Sequence, residues 1–124
     1  MEVPEWVSVV RYGTEEDVTN FIAKNPGQDW EKSTFLGYTA MFYAMQYNDF
    51  PRAIVEILLD KGGVHVDSTV GDSPTISILE YAIGSGVSDL GRALLQRGAT
   101  VKNAGDLWKS SPWQHWILHE STTL

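Results

Sequence analysis

An all-α solenoid of helix-turn-helix repeats, joined by short hairpin-like loops, is the fold the sequence predicts, and three observations predict it. The apolar pairs Phe21-Ile22, Leu58-Leu59 and Leu94-Leu95 recur at intervals of 37 and 36 residues, the self-similarity of a repeat architecture. Each pair is followed by a breaker: Asn25-Pro26-Gly27, then Gly62-Gly63, then Gly98. Glycine or asparagine there ends a helix, because the closing residue adopts a left-handed conformation that a Cβ resists. Upstream of every such pair lies a shorter apolar-periodic segment and then a tight turn, so each unit holds two helices.

The elements follow in order. In the first unit, residues 1–30, Glu15-Glu16-Asp17 comes directly after Gly13-Thr14. Thr14 can cap a helix there, and the carboxylates offset the positive end of its dipole; a surface for basic partners is the alternative use of that cluster. In the second unit, residues 31–67, Met41, Ala44 and Met45 share one helical face. Asn48-Asp49-Phe50-Pro51 interrupts, with Asn48 or Asp49 accepting a free backbone N–H and Pro51 at a first-turn position that needs no donor. Ile54, Val55, Leu58 and Leu59 form the next buried stripe. In the third unit, residues 68–103, Ile78, Leu79, Ala82 and Ile83 lead to a Gly84-Ser85-Gly86 turn and then to Leu90, Leu94 and Leu95. A truncated capping unit occupies 104–124. Segments 27–37, 63–75 and 99–109 are rich in glycine, proline, serine and aspartate and are expected to be extended or hairpin connections.

At 124 residues the chain fits one domain, and 43% hydrophobic with 20% charged residues excludes intrinsic disorder. The net charge of −7 repels a phosphate backbone, so nucleic acid is not the expected partner. The absence of cysteine removes disulfides, thiolate nucleophiles and cysteine-based metal centres. No apolar run approaches the roughly 18 residues of a membrane span, and the acidic start Met1-Glu2-Val3-Pro4-Glu5 is unlike a signal peptide. An intracellular protein, cytoplasmic rather than nuclear and monomeric, is the expectation.

These residues resemble the ankyrin repeat, a unit of about 33 residues with a Thr-Pro-Leu-His-x-Ala signature. Gly37-Tyr38-Thr39-Ala40-Met41-Phe42-Tyr43-Ala44 follows it with Ala40 for proline and Phe42 for histidine. Leu58-Leu59-Asp60-Lys61-Gly62-Gly63 and Leu94-Leu95-Gln96-Arg97-Gly98-Ala99 resemble its Leu-Leu-x-x-Gly-Ala ending. Ser77-Ile78-Leu79-Glu80-Tyr81-Ala82 is a degenerate version of the signature. Ser111-Pro112-Trp113-Gln114-His115-Trp116 resembles the first helix of a last, truncated unit, and is similar to the final units of ankyrin arrays in large fungal multidomain proteins. Over residues 1–25 Val9 stands for the signature alanine and Gly13 for the turn glycine. The resemblance implies stacked helix pairs and non-catalytic protein recognition.

Little in the chain suggests catalysis. His115 and His119 lie four apart with Glu120 adjacent, a spacing that suits one metal ion, but the glutamate follows both histidines and no third ligand is in sight. Packing of His115 and solvation of His119 account for them without a metal. There is no Gly-x-Ser-x-Gly elbow, and Gly71-Asp72-Ser73-Pro74 and Gly62-Gly63 lack the lysine and context of a phosphate loop. No catalytic residue, metal or cofactor is assigned.

The aromatic residues carry more information. In an ankyrin array the hairpin tips and the outer positions of the first helices line one concave face, where packing does not demand apolar groups. The resemblance carries this face onto Phe35, Leu36 and Tyr38 at a hairpin tip, Gln46 and Tyr47 on the following helix, Trp108 and Lys109 at the last tip, and Arg11 and Tyr12 in the first unit. Tyrosine, tryptophan, phenylalanine and arginine are the composition of interface hot spots. The alternative is that insertions shift the register and bury Phe35, Leu36 or Trp108 as core. The expected function is a protein-protein interaction module that binds a partner on the concave face; the alternatives are a structural end segment of a larger array and, less favoured, a metal-dependent enzyme.

Overall fold

The computed structural model describes residues 2–71, 76–86 and 88–100, and among these the chain is all-helical. Six helices follow one another: α1 Glu5–Tyr12, α2 Glu15–Lys24, α3 Ala40–Tyr47, α4 Pro51–Asp60, α5 Ile78–Ser85 and α6 Ser88–Gln96. The described residues contain no strand, only isolated bridges pairing Phe35 with Tyr38, Tyr38 with Gly71, and Thr69 with Ser77. Among them no helix is long and apolar enough to cross a membrane. Trp108 and Lys109, the capping unit 104–124 and its His115, His119 and Glu120 lie outside the described residues.

Local sequence explains where α2, α4 and α5 begin. Thr14 accepts from the Asp17 amide while the Asp17 carboxylate accepts from the Thr14 amide, a reciprocal cap that places Glu15, Glu16 and Asp17 in the first turn of α2. Ser77 and Glu80 form the same arrangement at α5. Pro51 opens α4 at the position where it forfeits no hydrogen bond.

The helix ends differ from expectation in two places. Gly84 and Ser85 belong to α5, and Gly86, at φ 77°, closes it. Once Gly86 supplies the left-handed residue, nothing forces the helix to stop earlier. Asn25 ends α2 at φ −128°, outside the left-handed region, by donating its side-chain amide to the Phe21 carbonyl. Gly98 does take the left-handed conformation, and the Ala99 amide reaches back to the Leu94 carbonyl.

The helices pack in pairs, α1 with α2, α3 with α4 and α5 with α6. The first helices line up as α1, α3, α5 and the second as α2, α4, α6, giving two layers with the core between them. Val7, Val10, Met41, Ala44, Ile54, Val55, Leu58, Ile78, Leu79, Ala82, Leu90, Leu94 and Leu95 fill that core, all buried. Leu59 is only half-buried, at the edge of the predicted stripe. Trp30 closes the first end of the core, edge-on to Trp6 and Phe21 at 6.4 and 5.8 Å; no periodicity marks it, because it sits in a loop.

Polar bonds also join neighbouring pairs. Asn48 donates to the Val10 and Gly13 carbonyls at 2.8 and 3.0 Å, while its own oxygen accepts from the Phe50 amide. The Arg97 guanidinium bridges Asp60 and Glu56 of α4. Asp67 accepts from both the amide and the hydroxyl of Thr100. Apart from the local Asn48–Phe50 bond, these bonds join positions 33 to 41 residues apart, in neighbouring pairs, which limits how far one pair can rotate on the next.

Candidate functional site

The connection between α2 and α3 ends in a tight reversal. Phe35 and Tyr38 exchange both backbone hydrogen bonds, at 2.9 and 3.1 Å, around Leu36 at φ 56° and Gly37 at φ 84°. Two successive positive φ values are the signature of the hairpin turn whose twist matches paired extended chain. The next loop lies against this tip: the Thr39 amide donates to the Val70 carbonyl, and the Thr39 hydroxyl to the Thr69 carbonyl. A Cβ on Gly71 would come within 2.6 Å of the Gly37 carbonyl oxygen, so the chain at 71 needs glycine to approach the 35–38 tip so closely.

That anchoring sets Tyr38 at the margin of the first-helix layer, where its ring stacks on Phe42 with centroids 3.9 Å apart. Phe42 in turn meets Tyr43 at 5.2 Å, Tyr81 of α5 at 5.4 Å and Tyr47 at 6.4 Å. Tyr43 and Tyr47 lie nearly parallel at 6.2 Å. The Arg11 guanidinium, from the end of α1, lies 4.2 Å from the Tyr47 ring centre and 5.0 Å from that of Tyr12, within cation–π range. One continuous aromatic sheet of side chains therefore crosses α1, α3 and α5.

Of the residues predicted for this face, Tyr12, Leu36, Tyr38 and Tyr47 are exposed, Tyr12 at 71% and Leu36 at 65%. Gln46 is exposed too and accepts a hydrogen bond from the Tyr81 hydroxyl. Arg11 is half-buried among the rings. Phe35 is also half-buried: its ring leans on Tyr43, and its carbonyl accepts the Tyr43 hydroxyl, so it supports the tip more than it faces solvent.

Three residues at the centre were not predicted as site residues: Phe42, Tyr43 and Tyr81. The i, i+4 spacings Tyr38/Phe42 and Tyr43/Tyr47 were the available signal. Burial pushes the phenols of Tyr43 and Tyr81 above the usual tyrosine range, so both stay protonated and serve as hydrogen-bond donors at neutral pH. Nothing in this arrangement brings a nucleophile beside a base; its chemistry is apolar area, hydroxyl donors and one guanidinium.

No protein-family model matches the chain, and neither a curated protein nor a solved structure is significantly similar to it.

Proposed function

We propose that the chain is an ankyrin-type repeat domain that binds a protein partner, without catalysis, on the face formed by α1, α3, α5 and the 35–38 hairpin. Support for the fold comes from the Thr-Ala signature at Thr39-Ala40, the Leu-Leu endings and the two-layer order of the helix pairs. The observation that carries the function is the row of rings itself. Tyr12, Tyr38 and Tyr47 keep 71%, 37% and 46% of their surface in contact with water, although the core is filled without them. Exposed, rigid aromatic groups next to an arginine bury much area on binding at low entropic cost.

Affinity capture from a lysate, comparing wild type with Tyr38→Ala and Tyr47→Ala, tests this reading. Loss of a reproducible captured protein, with the helical circular dichroism and melting midpoint nearly unchanged, is the expected result. The melting control matters because a core aromatic cut to alanine typically costs about 3 to 5 kcal/mol. A captured protein indifferent to both substitutions would remove this face as the site.

A further inference from the structure

Where the α1–α2 turn meets the α3–α4 turn, at one edge of the aromatic face, lies a pocket of about 420 Å³ bordered by Arg11, Tyr12, Tyr47, Asn48, Asp49 and Phe50. Arg11 is held there by rings alone. Its Nε is buried and has no hydrogen-bond partner, and among the described residues no carboxylate forms an ion pair with it. A guanidinium buried partly without an acceptor is costly, and a planar carboxylate is the group whose geometry matches its fork of donors. Beside it Tyr12 and Phe50 are 71% and 64% exposed, so both rings keep large apolar surfaces open to water, although the Arg11 guanidinium also lies over the Tyr12 ring.

The surroundings limit the charge of the occupant. Asp49 borders the pocket, and Asp49 and Phe50 also line an adjoining groove that holds Glu15, Asp89 and the Arg52–Glu56 ion pair. With the chain at −7 overall and Asp49 on the border, a doubly charged phosphate meets about twice the repulsion that a single carboxylate meets, and Arg11 is, among the described residues, the one cation bordering the pocket to offset it.

We propose that this pocket receives an aspartate or glutamate side chain of the partner, paired with Arg11, while an apolar residue next to it in the partner packs against Tyr12, Tyr47 and Phe50. The inference rests on the reading of the aromatic face as a protein-binding surface and names the chemistry of the segment it takes.

Panning a random peptide display library against the full chain, followed by fluorescence anisotropy on the enriched peptides made synthetically, tests it. Enriched sequences should carry Asp or Glu beside Phe, Leu, Trp or Pro. Exchanging that acid for its amide in the peptide should weaken binding roughly tenfold or more, and Arg11→Gln should do the same without adding to the amide exchange. The peptide exchange leaves the protein untouched, so it decides the matter even if Arg11→Gln fails to fold. Enrichment of purely basic or purely apolar peptides, binding indifferent to the amide exchange, or no enrichment at all overturns the carboxylate assignment. Peptides without an acid that lose binding on Tyr38→Ala or Tyr47→Ala overturn that assignment and leave the face standing; peptides indifferent to all these changes remove both.

Discussion

Leu36 is the one described residue other than glycine with a positive φ, at 56°, and its side chain is 65% exposed. Left-handed backbone costs a residue with a Cβ about 1 to 2 kcal/mol, and this leucine recovers little of it through burial. Leu36→Asn creates Asn-Gly, the pair that hairpin turns with two positive φ values favour. The substitution should raise stability by up to about 1 kcal/mol, read as a higher melting midpoint, while weakening partner binding. A lower midpoint would show that the leucine packs against the tip. The same residues show what the sequence could reveal. Tyr38 and Tyr47 were legible because the ankyrin resemblance located them outside the core, whereas Phe42, at the hub of the rings, was hidden by standing at a signature position that usually means packing.

At the level of elements, the contact between α4 and the turn after α6 depends on charge. Hydrogen bonds from Arg97 hold the Asp60 carboxyl below its ordinary range, and those from Arg52 and then Arg97 do the same for Glu56. Lowered folded-state values mean that the stabilisation is present above the ordinary carboxylate range and is lost as pH falls through the depressed values. Wild type should therefore lose more stability between about pH 6 and about pH 3 than Arg97→Met does. Urea midpoints at the two pH values measure it, and equal losses would show that the pair is screened to nothing, as many exposed ion pairs are. The helices themselves were legible where capping chemistry was read locally: Thr14 and Pro51 mark their starts within one turn, whereas the Ser77 cap of α5 was missed although Glu80 three residues on carries its signal. The end of α5 was not, since Gly84 looks in sequence like a breaker and is only tolerated by a helix already closed at Gly86. Asn48 was legible as a turn residue through its bond to the Phe50 amide. Its bonds to Val10 and Gly13 were not, because they cross 38 and 35 residues of chain.

Across the whole molecule, stability is shared between neighbours. Leu58 and Leu94 are fully buried, on α4 and α6, two helices that pack against each other. Leu58→Ala and Leu94→Ala should each cost roughly 2 to 5 kcal/mol, and the loss should extend beyond the pair that carries the change, because stacked units stabilise one another. Lower urea midpoints, with the signals of Trp6 and Trp30 at the far end shifting together with the helical signal, are the expected result; unchanged midpoints would contradict the burial of both leucines. Asn48 gives this dependence a direction. The carbonyls of Val10 and Gly13 are satisfied by a side chain that is synthesised 35 residues after Gly13. As the chain leaves the ribosome, α1 and α2 emerge with those two carbonyls open to water, and they close only once the next pair arrives. Growth from the amino end thus leaves the first pair incomplete until Asn48 of the second has been made.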